Sequence, residues 1–139
     1  MQQKSELYLD LEVLKSIEFE YANIQMLTNG IIKIEMFDGH IIDLEECVQI
    51  TIAQGKLLGG KQGLMFMVAD STTQFTNSAR EFSASKEGLR FSIAEALVIQ
   101  NLAQKILVSF YLKINKPAKP SKAFNSEEDA IKWLLDYKK

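Results

Sequence analysis

Apolar residues recur with different periods along this chain, and the changes of period mark out its elements. Alternation, the period of a half-covered strand, runs through Ile17, Phe19 and Tyr21, with Glu18 and Glu20 pointing the other way. It resumes in Ile32, Ile34 and Met36 against Lys33 and Glu35. Asn29-Gly30 lies between the two runs. A two-residue hairpin turn needs residues that tolerate positive φ, and Asn-Gly is the pair that does so most readily. A hairpin of Ile17–Thr28 and Ile31–Phe37 is expected, followed by a second turn at Asp38-Gly39. Upstream, Leu7, Leu9, Leu11 and Val13 alternate, yet Leu7, Leu11 and Leu14 equally suit a helix. Residues 1–16 therefore read as an extension of undetermined structure, and 17–139 as one domain.

Beyond the hairpin the period lengthens. Asp43, with Glu46 three residues on, has the spacing of a capping box, in which each residue satisfies a free backbone donor of the other. Leu44, Cys47, Val48 and Ile52 predict the buried stripe of the helix that follows, and Gly59-Gly60 predicts its end. Leu64–Ala69 is an unbroken apolar run, the mark of a strand covered on both faces. A polar stretch, Ser71–Asn77, leads to a helix from near Ser78, with Ser78 and Glu81 as its capping pair and Gly88 as its break. Phe91–Ile99 fits a second covered strand; helix stays open there, since Ala94, Glu95, Ala96 and Leu97 are good helix formers. Leu102, Ile106, Phe110 and Ile114 recur every four residues, so 101–115 reads as a helix with one apolar face. Pro117 and Pro120 end it, Ser121–Phe124 is a short strand, and Asn125 with Glu128 caps a last helix whose apolar face holds Ala130, Ile131, Trp133, Leu134 and Tyr137. Strands alternating with helices predict an α/β fold. The expected sheet is mostly parallel, of about 4–5 strands, with an N-terminal antiparallel hairpin and about four helices.

Composition narrows the class. The chain has 139 residues, enough to bury a core without staples, with 47% apolar and 24% charged residues. Its net charge of -2 argues against a dedicated nucleic-acid binder, which is usually basic. The single cysteine, Cys47, excludes an internal disulfide and fits a reducing compartment. The N-terminal stretch has no continuous apolar core like that of a signal peptide, and no run approaches the roughly 18 apolar residues of a membrane span. A cytoplasmic protein is expected.

Little in the chain speaks of catalysis. His40, the only histidine, follows a turn and has no motif around it, so it reads as a turn residue rather than a general base. Cys47 falls on an apolar stripe, the setting of a structural thiol. No phosphate-loop spacing occurs, and the usual metal ligands are too few for a zinc site. No catalytic, cofactor-binding or metal-binding residue is expected. Two surfaces remain. Asp70 ends the predicted central strand, and Asp70, Ser71, Thr72, Thr73, Thr76 and Ser78 form a candidate interaction loop at the strand end where open α/β sheets place ligands. Lys113, Lys116, Lys119 and Lys122 form a candidate basic connection, suited to an anionic partner or lipid headgroups, though a solvated loop accounts for them as well.

Particular words of the chain resemble a known family. They are Gly30-Ile31, Val68-Ala69-Asp70, Ser78-Ala79-Arg80-Glu81, Ala94 to Val98, and Asn115-Lys116-Pro117 leading to Pro120, Phe124, Ala130 and Trp133-Leu134. Together with the element order they resemble the STAS fold of anti-sigma-factor antagonists, and more closely the SpoIIAA-like (STAS/Sec14-type) bacterial domains of unassigned function. The resemblance spans about Ile17 to Leu135. It implies a non-enzymatic regulatory or protein-interaction domain. Phospho-regulated STAS proteins carry Asp-Ser-Ser-Gly after the third strand; here the stretch reads Phe75-Thr76-Asn77-Ser78-Ala79, without the Asp and the Gly. The alternative reading is a small carrier that holds an apolar or lipid-like ligand between a helix and the sheet. A homodimer through Leu7–Val13 or a sheet edge is also expected.

Overall fold

The computed structural model describes residues 11–138. A six-stranded sheet runs in the order β1-β2-β3-β5-β7-β8, with β1 Val13–Glu18, β2 Ala22–Leu27, β3 Ile32–Met36, β5 Gly63–Ala69, β7 Ser92–Val98 and β8 Ser121–Phe124. The first three strands form an antiparallel meander, and β3, β5, β7 and β8 pair in parallel. A minor parallel pair joins β4, Ile41–Ile42, to β6, Gln74–Phe75. Among the described residues there are four α-helices, α1 Leu44–Leu57, α2 Asn77–Ala84, α3 Leu102–Phe110 and α4 Glu127–Lys138; a π-helical turn, Tyr111–Asn115, continues α3.

The fold follows from β5, the apolar run at the centre. Leu64, Phe66 and Val68 face one way and pack with Ala130, Ile131 and Leu134 of α4. Met65 faces the other way and packs with Ile32, Ile34, Cys47, Ile50 and Leu57, beneath α1. Parallel crossovers put α1 and α2 on that second face, and α3 follows them there through Val108, which packs with Met67 and Leu97.

The expected α/β class and mostly parallel sheet are present, with six strands rather than four or five. The extra strand comes from Ile17–Thr28, which is two strands. Glu20-Tyr21 turns the chain, with Phe19 N donating to the Ala22 carbonyl at 2.8 Å, and β1 begins at Val13 inside the supposed extension. That turn has no Gly, Asn or Pro to announce it. The Asn29-Gly30 turn is where it was expected, but its loop holds three residues closed by Leu27 and Ile31. Only Gly30 takes positive φ, +86°, while Asn29 accepts from Ile31 N through its side chain at 3.1 Å.

Two helix faces and two helix caps differ from expectation. The α1 capping box of Asp43 and Glu46 is formed, but Leu44 and Ile52 are each 44% exposed. The buried face is Cys47, Ile50, Thr51, Gln54 and Leu57, because Gly55 receives the Phe91 ring and Thr51 donates to the Gly88 carbonyl at 3.3 Å. Helix α2 is capped by Thr76, whose hydroxyl accepts from Ala79 N at 3.1 Å, rather than by Ser78. In α4, Ser126 takes the capping role expected of Asn125. The largest departure is α3: Leu102, Ile106, Phe110 and Ile114, its predicted buried face, point to solvent. The helix rests instead on Gln104, Leu107 and Val108, and the π turn on Tyr111 and Leu112.

The expected dimer contact through Leu7–Val13 lies largely outside the described residues. Within them, β1 is an edge strand with exposed Val13 and Leu14.

Phe66 is fully buried in the strand that both layers depend on. Phe66→Ala should cost about 3–5 kcal/mol of unfolding free energy, read by denaturant titration. A loss under about 1 kcal/mol would mean β5 is not the centre of the core.

Candidate functional site

Helix α3 does not close onto the sheet, and the gap is a cavity. It comprises about 650 Å³ of atom-free space, open water at its mouth included. Met36, Ala69 and Val98, the last residues of β3, β5 and β7, form its floor with Met67 and Leu97. Phe75, Ala79 and Ser83 form one wall, and Leu107, Val108 and Tyr111 roof it. The floor thus lies at the carboxyl ends of the parallel strands, where sheets of this type bind ligands. Its lining is almost wholly apolar; the polar side chains are Arg80, Ser83, Gln104 and the Tyr111 hydroxyl.

Polar tethers hold the roof. At its near end Gln100 and Gln104 each donate from Nε2 to the Ala69 carbonyl at 2.9 Å. Gln104 Oε1 accepts from Gln100 N at 2.7 Å, and Asn101 caps the helix through Gln104 N at 2.9 Å. At the far end Tyr111 donates its hydroxyl to Glu95 Oε2 at 3.1 Å, and Ser121 of β8 donates to the same oxygen at 2.8 Å. No residue of α3 itself is buried. The π turn ends at Lys116, whose φ of +53° is the one left-handed non-glycine conformation among the described residues. Such turns are rare within α-helices and are frequently found at functional sites.

Glu95 is the residue that pattern reading missed. It is 2% exposed, and burial pushes its carboxyl up to about 7, against the weaker opposing pull of the Ser121 and Tyr111 hydroxyls. Burial and the neighbouring Glu95 raise the Tyr111 phenol as well. One signal was available: a lone carboxylate within Ser92–Val98, in an otherwise uncharged covered strand.

The residues of the candidate loop are mostly engaged with residues 37–43. Thr72 donates from its amide and its hydroxyl to Asp38 Oδ1, at 2.9 and 2.7 Å, which holds that carboxyl below its usual range. Asp70 Oδ2 accepts from Asp38 N, Thr73 donates to the Phe37 carbonyl, and Thr76 donates to Asp43 Oδ1 at 2.7 Å. These bonds stitch residues 70–76 to residues 37–43 and fix one rim of the cavity; Ser71 and Ser78 are exposed. The four lysines are not one cluster by role. Lys119 donates to the Ser92 carbonyl at 2.7 Å and Lys122 lies over the Phe124 ring, while Lys113 and Lys116 are exposed.

Cys47 is buried. Burial raises its thiol above the ordinary range, outweighing a hydrogen bond from Ser83. His40 is half-buried beside the second turn, and its carbonyl accepts from Gln74 N. Among the described residues no group of three His, Cys, Asp or Glu is placed to hold a metal, and no helix is long and apolar enough to cross a membrane.

A family model described as a domain of unknown function, DUF7793, matches residues 24–138, and the chain belongs to that family. No curated protein matches it. Among solved structures it is similar to an uncharacterized protein of the DUF3478 family with a SpoIIAA-like fold, from Shewanella loihica PV-4. The two are 15% identical, 89% of this chain and 93% of that one are covered, and the TM-score is 0.46.

The buried carboxyl makes stability depend on pH. Unfolded Glu95 loses its proton near 4.5, folded Glu95 near 7, so the folded state binds the extra proton between those values. Stability from this group is therefore full below about 4.5 and falls as pH rises towards about 7. Glu95→Gln should remove that slope, so that the variant gains on the wild type by up to roughly 3 kcal/mol across the window. Parallel stability profiles for the two proteins in denaturant titrations at stepped pH would contradict it.

Proposed function

We propose that this member of the DUF7793 family is a non-enzymatic binding domain that holds a small apolar or lipid-like molecule between helix α3 and the sheet. One observation carries the reading: the cavity under α3, apolar on nearly every side and sited at the carboxyl ends of β3, β5 and β7. A few polar groups stand at its otherwise apolar walls, as small-molecule sites require. The non-enzymatic part rests on the setting of the one thiol. Cys47 is shielded, its ionisation is suppressed by burial, and a nucleophile needs the opposite conditions.

A second reading, a regulatory or protein-interaction domain of STAS type, is favoured by the outer face of α3 and its π turn. Leu102, Ile106 and Ile114 are 71%, 63% and 62% exposed, and Phe110 lies in the same row. A row of large apolar side chains at four-residue spacing is the form in which a helix meets a partner groove or a second helix.

Two measurements separate the readings. A neutral apolar fluorophore such as N-phenyl-1-naphthylamine should bind saturably to the native protein, and Val108→Trp, which fills the roof, should weaken it about tenfold with the cooperative melt retained. No saturable binding by the wild type would rule out the carrier. Ile106→Glu leaves the cavity lining untouched. It should abolish a self-association or partner complex seen by sedimentation if the outer row is the contact, and change nothing otherwise.

A further inference from the structure

Arg80 is at odds with the rest of the cavity it lines. Its guanidinium is held by two hydrogen bonds, from Nη1 to the Phe75 carbonyl at 2.9 Å and from Nη2 to Asn77 Oδ1. It also lies against the Phe110 ring, 5.6 Å from the centroid. Among the described residues no carboxylate pairs with it. Its Nε is buried and has no hydrogen-bond partner. A fixed, unneutralised cation with a buried N–H left over is an unfinished interaction.

Arg80 is the fourth residue of α2, whose first turn holds no acidic side chain. The Asp43 carboxylate meets the helix at its cap residue, Thr76, and no bond joins it to Arg80. The guanidinium therefore favours an anion at this wall. Met67, Ala69 and Leu97 favour an apolar body beside it.

We infer that the cavity takes an amphiphile, an apolar tail carrying a carboxylate head, with the tail against the sheet and the head accepting from Arg80. A carboxylate suits a guanidinium because two acceptor oxygens lie in the plane of the donors, and one of them completes Nε. The backbone carbonyl of Phe75 and the side chain of Asn77 hold the guanidinium in place before the ligand arrives, so little side-chain freedom is lost on binding. This inference rests on the cavity being a ligand site, and the test separates the two.

The probes are decanoate, 1-decanol and decylamine, three head charges on one tail, measured by calorimetry on the purified protein and on Arg80→Gln and Arg80→Lys. The wild type should bind decanoate at least about tenfold more tightly than decanol, and decylamine least. Arg80→Gln should bind decanoate no better than decanol while still binding decanol as the wild type does. Should that variant fail to fold, Arg80→Lys decides: it keeps the charge and loses the Nε donor and the planar fork, and the preference for decanoate should shrink. If decanol binds as tightly as decanoate to the wild type, the head-group inference falls and the apolar site stands. A preference that persists in both variants also overturns it, since another cation then reads the head. If no probe binds, the cavity is not a ligand site and both readings fall together.

Discussion

Everything in this domain depends on the burial of β5 on both faces. A seven-residue apolar strand in the middle of a sheet must be covered above and below. Helix α4 covers one face by apolar contact, through Ala130, Ile131 and Leu134, none more than 3% exposed. On the other face α1 supplies Cys47, Ile50, Ala53 and Leu57 and shields the half of the sheet nearest β3. The remaining part, over Met67 and Leu97, falls to α3, which contributes no buried residue. The cavity is the space that results from covering one face with three helices of which only two pack closely.

Helix α3 keeps its place by polar bonds where the other helices use apolar contact. Two glutamines share the Ala69 carbonyl at one end, and the Tyr111–Glu95–Ser121 cluster anchors the other. Each neutral hydrogen bond contributes about 1 kcal/mol net, against about 1.5–3 kcal/mol for one fully buried large apolar side chain. A helix held this way is weakly attached compared with its neighbours, and elements of low local stability are the ones that open for ligands. The Glu95 cluster adds a cost. It keeps a carboxyl out of water to hold one phenol and one hydroxyl, which is why its proton stays on up to about 7.

The architecture was largely legible in the sequence, because it rests on periodicity over long segments. The unbroken run of Leu64–Ala69, the capping pair Asp43 and Glu46 and the breaks at Gly59-Gly60 each had a local cause that the fold respects. What was not legible was rotation about helix axes. In α3 both faces are apolar: Leu102, Ile106, Phe110 and Ile114 make one row, Leu107, Val108 and Tyr111 another. Periodicity identifies rows without saying which one meets the sheet, and here the glutamine tethers choose the second. The candidate loop was located from a rule about strand ends; of residues 70–76, Phe75 lines the cavity. Their hydroxyls, however, are engaged with Asp38 and Asp43, while the unpartnered donor belongs to Arg80, within the helix that follows.

The two rows of α3 also connect the two functional readings. The inner row roofs the cavity, and the outer row is exposed, on the same short helix. On the proposed reading, a molecule beneath α3 would touch Leu107 and Val108 and so act on the position of Ile106 and Phe110, which lie on the same helix. Arg80 tightens that connection, since its guanidinium lines the cavity and also lies against the Phe110 ring on the outside. Two sites that bias one weakly held element are coupled by necessity, and the coupling acts equally in both directions. On the proposed reading, a carrier and a regulatory domain are therefore not competing descriptions: whatever occupies the cavity alters the free energy with which the outer row meets a partner.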